Sequence, residues 1–79
     1  MSEIDRLRWR CRRGMKELDV VMTRYLEHHY LSADAEEREA FEVVLQIEDP
    51  ELFPLVMGKT EPDNPKIARV IEKLRSPVV

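Results

Sequence analysis

Cysteine occurs once in this chain of 79 residues, which excludes an internal disulfide and points to a reducing compartment rather than a secreted mini-scaffold. Glycine occurs twice, so no glycine-rich loop is present to cradle a phosphate and little interrupts helices. No apolar run approaches the roughly 20 residues of a bilayer span. Met1-Ser2-Glu3-Ile4-Asp5 offers neither the basic start nor the apolar stretch of a secretory signal, and its acids argue against a transit peptide. No segment sustains the alternation of a strand, and no repeat is visible. The length excludes separate cofactor and substrate domains, so residues 1–79 are expected to form one helical domain.

What is present favours helices. Hydrophobic residues make up 43% of the chain, enough for one core, although a domain this small hides only roughly 60% of its unfolded surface. Ser2 with Asp5 resembles a capping pair and Gly14 a left-handed stop, which predicts a first helix over 3–13. Met15, Leu18, Met22, Tyr25, Leu26 and His29 recur at spacings of three and four, which predicts a second helix to about Tyr30. Asp34 with Glu37 opens a third, with Ala40, Phe41, Val44 and Leu45 inward, ending near Glu48. Asp49 as cap and Pro50 at the first helical position start a short fourth helix, closed by Gly58. Asn64-Pro65 repeats that start for a fifth, whose apolar face is Ile67, Val70, Ile71 and Leu74 and whose end is Ser76-Pro77. With short joints, the fold expected is an all-α, five-helix antiparallel bundle.

The net charge of −3 hides a polarity. Arg6, Arg8, Arg10, Arg12 and Arg13 fall within eight residues, whereas Asp34 to Glu51 holds eight acids against Arg38 alone. At about 100° per residue, Ile4, Leu7 and Cys11 form the buried side of the first helix. Trp9 points away from them, beside Arg13 and flanked by Arg6 and Arg10. Tryptophan and arginine are enriched among residues that carry binding energy, so this face is a candidate docking surface. At the junction, Arg13 at one helix end and Glu17 in the next helix's first turn suit the helix dipoles by about 0.3–1 kcal/mol each. They also flank Gly14, whose missing side chain would let a partner's backbone approach between fixed donors and acceptors.

Other constellations carry less. His28 and His29 diverge by about 100° and cannot form a metal pair, so no metal is expected, and His29 falls on an apolar stripe. Cys11 lies on a core stripe, where a thiol is inert packing. Glu36, Glu37, Glu39 and Glu42 read as a solvated helix face rather than an acid/base site. Nucleic acid is disfavoured: Arg8 and Arg12 project roughly 160–240° from Arg6, and the chain from Val20 onward carries twelve acids against seven bases. A membrane-surface role is disfavoured because the narrow apolar stripe of the first helix is needed by the core.

Trp9-Arg10-Cys11-Arg12-Arg13-Gly14-Met15-Lys16-Glu17-Leu18-Asp19 resembles the signature of the succinate dehydrogenase assembly factors (SdhE, also YgfY or CptB), whose hallmark is Arg-Gly-x-x-Glu. Glu27-His28 with Tyr30, Phe41 with Leu45, and Asp49-Pro50-Glu51-Leu52-Phe53 before Met57 extend the resemblance over roughly residues 6 to 60. Leu55 departs from the tryptophan that many members carry there, and the stretch after Pro77 is short. The resemblance implies a cytoplasmic, non-enzymatic factor, and a monomer is expected. Such a factor binds the flavoprotein subunit of succinate dehydrogenase, and in some bacteria of fumarate reductase, and promotes covalent attachment of FAD. It implies that FAD is handled by the client and not bound stably here, and that Arg13, Gly14 and Glu17, with Trp9, Arg10 and Asp19 around them, meet that client. The alternative from another class is a regulatory, antitoxin-like binding module with weak nucleic-acid or protein contact.

Overall fold

In the computed structural model, which describes residues 2–75, helices begin where the sequence supplies caps. The Ser2 hydroxyl accepts the Asp5 amide at the start of α1 (Glu3–Arg10). Asp34 accepts the Glu37 amide at 2.8 Å before α3 (Ala35–Leu45), and Asn64 the Lys66 amide before α5 (Pro65–Arg75). The other two helices, α2 (Lys16–His28) and α4 (Asp49–Met57), follow Met15 and Glu48, whose side chains make no capping bond. Asp49 is therefore the first helical residue rather than the cap, and Pro50 the second.

Helix ends depart more from expectation. The first helix stops at Arg10, short of Arg13, and Gly14 is not left-handed; Gly58, at φ 82°, is the only positive-φ residue among those described. The second gives way after His28 to a 3-10 turn over Tyr30–Ser32, where Arg38 draws the Tyr30 and Leu31 carbonyls. The third ends at Leu45, whose carbonyl, with that of Ile47, accepts from a side chain of another element instead of from a further helical turn. Ser76-Pro77, the expected end of α5, lies outside the described residues.

The fold is all-α, with no strand among the described residues. At its centre α5 packs on α2, α3 and α4, and α1 lies against α2. Leu18, Met22, Phe41, Val44, Leu52 and Val70 are fully buried, with the Tyr25 ring stacked on Phe41 at 4.4 Å. Cys11 is buried as its stripe predicts, and His29 is half-buried against Tyr25. The acidic face of α3 is corrected at one position: Glu37 is buried. Its side chain accepts from the Tyr25 hydroxyl and from Lys73 instead of facing water.

Candidate functional site

Residues 11–15 carry α1 into α2, and their path follows from where their amides go. The Cys11 amide donates to the Leu7 and Arg8 carbonyls, and the Arg12 amide to the Trp9 carbonyl at 3.2 Å, so the last turn of α1 tightens. The next amide, that of Arg13, leaves the helix altogether and donates to the Asp19 carboxylate in the first turn of α2. That exchange ends α1 and fixes the elbow. Asp19 is half-buried there, holding the loop rather than facing outward.

The Arg13 side chain corrects the expectation of a surface donor beside Trp9. It turns inward, and its side chain is only 10% exposed. Its Nε pairs with Asp49, Nη1 donates to the Leu45 carbonyl at 2.9 Å, and Nη2 to the Ile47 carbonyl. The 100° projection fails because α1 ends before residue 13. A planar fork suits this duty: two carbonyls at the C-terminal end of α3 attract a cation, and a carboxylate at the start of α4 neutralises it.

Four residues remain open. Trp9 is 66% exposed, and Arg12, not Arg13, places its guanidinium 5.5 Å from the ring centroid. Arg10 is exposed and stands 3.6 Å from Glu42. Gly14 is exposed, and a methyl group there would lie 3.8 Å from Asp49 Oδ2, an ordinary contact. With no positive φ and no clash behind it, the fold itself does not demand glycine at this position. Glu17 is exposed in the first turn of α2 and has no ion-pair partner among the described residues.

Two shallow hollows flank the corner. One, of about 330 Å³, is bordered by Arg10, Arg12, Arg13, Glu48, Asp49 and Pro50. The other, of about 380 Å³, lies between Trp9, Arg8, Arg12 and Thr23. The site is thus an open elbow with an aromatic on one side, a bare backbone in the middle and a free carboxylate on the other. Sequence reasoning missed Asp49 as a member, reading it as a cap, although its proline neighbour marked the right helix start. It also missed Arg12 as the tryptophan's companion.

The chemistry at hand is recognition. Burial pushes the Cys11 thiol up to about 11, against the opposing charges of Arg8, Arg10 and Arg13, so it stays protonated and inert. Among the described residues no group of three His, Cys, Asp or Glu side chains could hold a metal ion, and no helix is long and apolar enough to cross a membrane.

Comparison with known proteins gives a consistent result. Residues 5–78 match a family described as the flavinator of succinate dehydrogenase. A protein of Methylococcus capsulatus named FAD assembly factor SdhE is 44% identical over 76 residues, spanning 96% of this chain and 92% of that one. Proteins of the same name from Pectobacterium atrosepticum and Shewanella oneidensis are 38% and 39% identical, covering 94% and 95% of this chain and 88% and 92% of their own.

Proposed function

This chain belongs to the family of succinate dehydrogenase flavinators, and from that premise we propose that it docks through the α1–α2 elbow onto the flavoprotein subunit of succinate dehydrogenase and promotes covalent attachment of FAD there. It is an assembly factor and not an enzyme. The observation that carries the docking reading is Gly14: an exposed glycine that neither backbone conformation nor packing requires, between exposed Trp9 and a Glu17 with no ion-pair partner among the described residues. A surface that keeps such a position bare is suited to another backbone coming close.

The factor acts by differential binding. It can shift its client only by the ratio of its affinities for the attachment-competent and incompetent conformers, and about 10⁴-fold is needed to move a 1:99 mixture to 99:1. FAD stays with the client. The hollows at the elbow are shallow, and three of the arginines that border them are drawn into ion pairs with Glu27, Glu42 and Asp49, which fits a surface meeting a folded polypeptide better than one enclosing a dinucleotide. The flavoprotein subunit of fumarate reductase is the second client of this reading, and the cytoplasm, with the factor as a monomer, is its setting. The antitoxin-like alternative loses support because Arg8, Arg10 and Arg13 are engaged with Glu27, Glu42 and Asp49, leaving no unbroken basic stripe.

The test follows covalent flavin on the flavoprotein subunit by in-gel fluorescence, in cells lacking this factor and complemented with wild type, Gly14→Arg or Glu17→Ala. Wild type should restore labelling. Each variant should bind the client about tenfold more weakly, about 1.4 kcal/mol, and leave labelling reduced. Equal labelling with and without the factor would overturn the reading.

A further inference from the structure

We infer that Arg13 and Asp49 are a coupled pair of positioning residues, by which the start of α4 holds the docking elbow in shape without Arg13 itself touching the client. The inference rests on the docking reading above and assigns the work within that surface. Gly14 and Glu17 make the contact, and Arg13 acts from behind.

Three observations converge on this division. First, each nitrogen of the Arg13 guanidinium already donates one bond inside the fold, and the side chain is only 10% exposed, so little of it is turned outward toward a client. Second, those partners come from Leu45, Ile47 and Asp49, distant in sequence, so the contact fastens the elbow to the α3–α4 corner rather than to its own helix. Third, the Arg13 amide is held by Asp19, so the short stretch containing Gly14 and Glu17 is pinned at both ends. Asp49 Oδ2 also lies 3.8 Å from where a Gly14 side chain would begin, which places this carboxylate directly behind the bare backbone.

A lysine in place of Arg13 keeps the charge but is a point donor that cannot serve three divergent acceptors at once. An asparagine in place of Asp49 keeps the shape and loses the charge. These mild substitutions suit a double-mutant cycle, R13K, D49N and both together, read as the affinity of the purified factor for the FAD-free flavoprotein subunit by calorimetry. Amide hydrogen exchange is followed in parallel, and E17A serves as the contact control.

R13K and D49N should each weaken binding about tenfold, and the double variant should be no weaker than the worse single one, because both break one link. Amides 14–18 should exchange faster in all three while those of α5 keep their protection. E17A should weaken binding with exchange unchanged. If R13K costs the same factor in the D49N background as in wild type, Arg13 and Asp49 do not act as a coupled pair and the inference is overturned. Loss of α5 protection would mark a global role and overturn it equally. Wild-type binding that neither R13K nor D49N disturbs overturns this inference alone, whereas absence of wild-type binding overturns the docking reading beneath it.

Discussion

At Glu37, a carboxylate that the charge pattern assigns to a solvated face lies 3% exposed between three helices. The Tyr25 hydroxyl donates to it at 2.6 Å, Lys73 donates to both oxygens at 2.9 Å, and Arg69 stands at 3.5 Å. Burial pushes its carboxyl up, but the hydrogen bonds from Tyr25 and Lys73 and the charges of Lys73 and Arg69 outweigh burial and hold it below the ordinary carboxylate range. Burial and the same contact push the Tyr25 hydroxyl up, so it remains a donor. The group thus stabilises the fold fully above its unfolded pKa, and that contribution is lost as pH falls through the depressed folded value. Glu37→Gln should cost about 1–3 kcal/mol at neutral pH in urea unfolding. The deficit should shrink in acid, below about pH 4. A deficit independent of pH would contradict the ionic account. Helical spacing sets Glu37 apart from Glu36 and Glu39, because it stands three and four residues before Ala40 and Phe41 on the inner face of α3; the partners on α2 and α5 then match its charge.

Helix ends show how a chain with two glycines closes its helices. Three arginines donate to carbonyls at or just past helix ends: Arg13 to those of Leu45 and Ile47, Arg38 to those of Tyr30 and Leu31, and Arg75 to those of Leu55 and Thr60. The forked guanidinium supplies what a left-handed cap supplies elsewhere, at the cost of long-range rather than local specification. The two glycines have correspondingly different duties. Gly58 closes α4 at φ 82° with open space where a Cβ would lie, so Gly58→Ala meets backbone strain alone and should destabilise by about 1–2 kcal/mol. Gly14→Ala meets neither strain nor clash and should be neutral or stabilising by up to about 1 kcal/mol. Urea denaturation of both variants checks the contrast; equal losses would contradict it. The Asn64-Pro65 start, the opening of α4 at Asp49-Pro50 to within one residue, and the stop at Gly58 were legible because they are local. The ends of α1 and α3 were not, because a side chain from another element terminates each.

For the whole molecule, α5 is the element against which α2, α3 and α4 are organised, and its Val70, Ile71 and Leu74 are buried. A chain of this size carries about 4–12 kcal/mol of stability in total. Ile71→Ala should remove about 2–5 kcal/mol of it, bringing the fold near its limit, as thermal melting would show. A loss within about 0.5 kcal/mol, as at an exposed site, would contradict this placement. Periodicity and caps therefore determined by themselves that the chain is all-α, which faces turn inward, and that Trp9 and Glu17 stay outside, since helical spacing acts over three or four residues. Only the tertiary structure decided that Arg13 faces in, that Glu37 meets Tyr25 and Lys73 on the inner face of α3 and that Asp49 stands behind Gly14. A long polar side chain settles on whichever acceptors the folded chain brings within reach, and at Arg13 those acceptors arrive from more than thirty residues away.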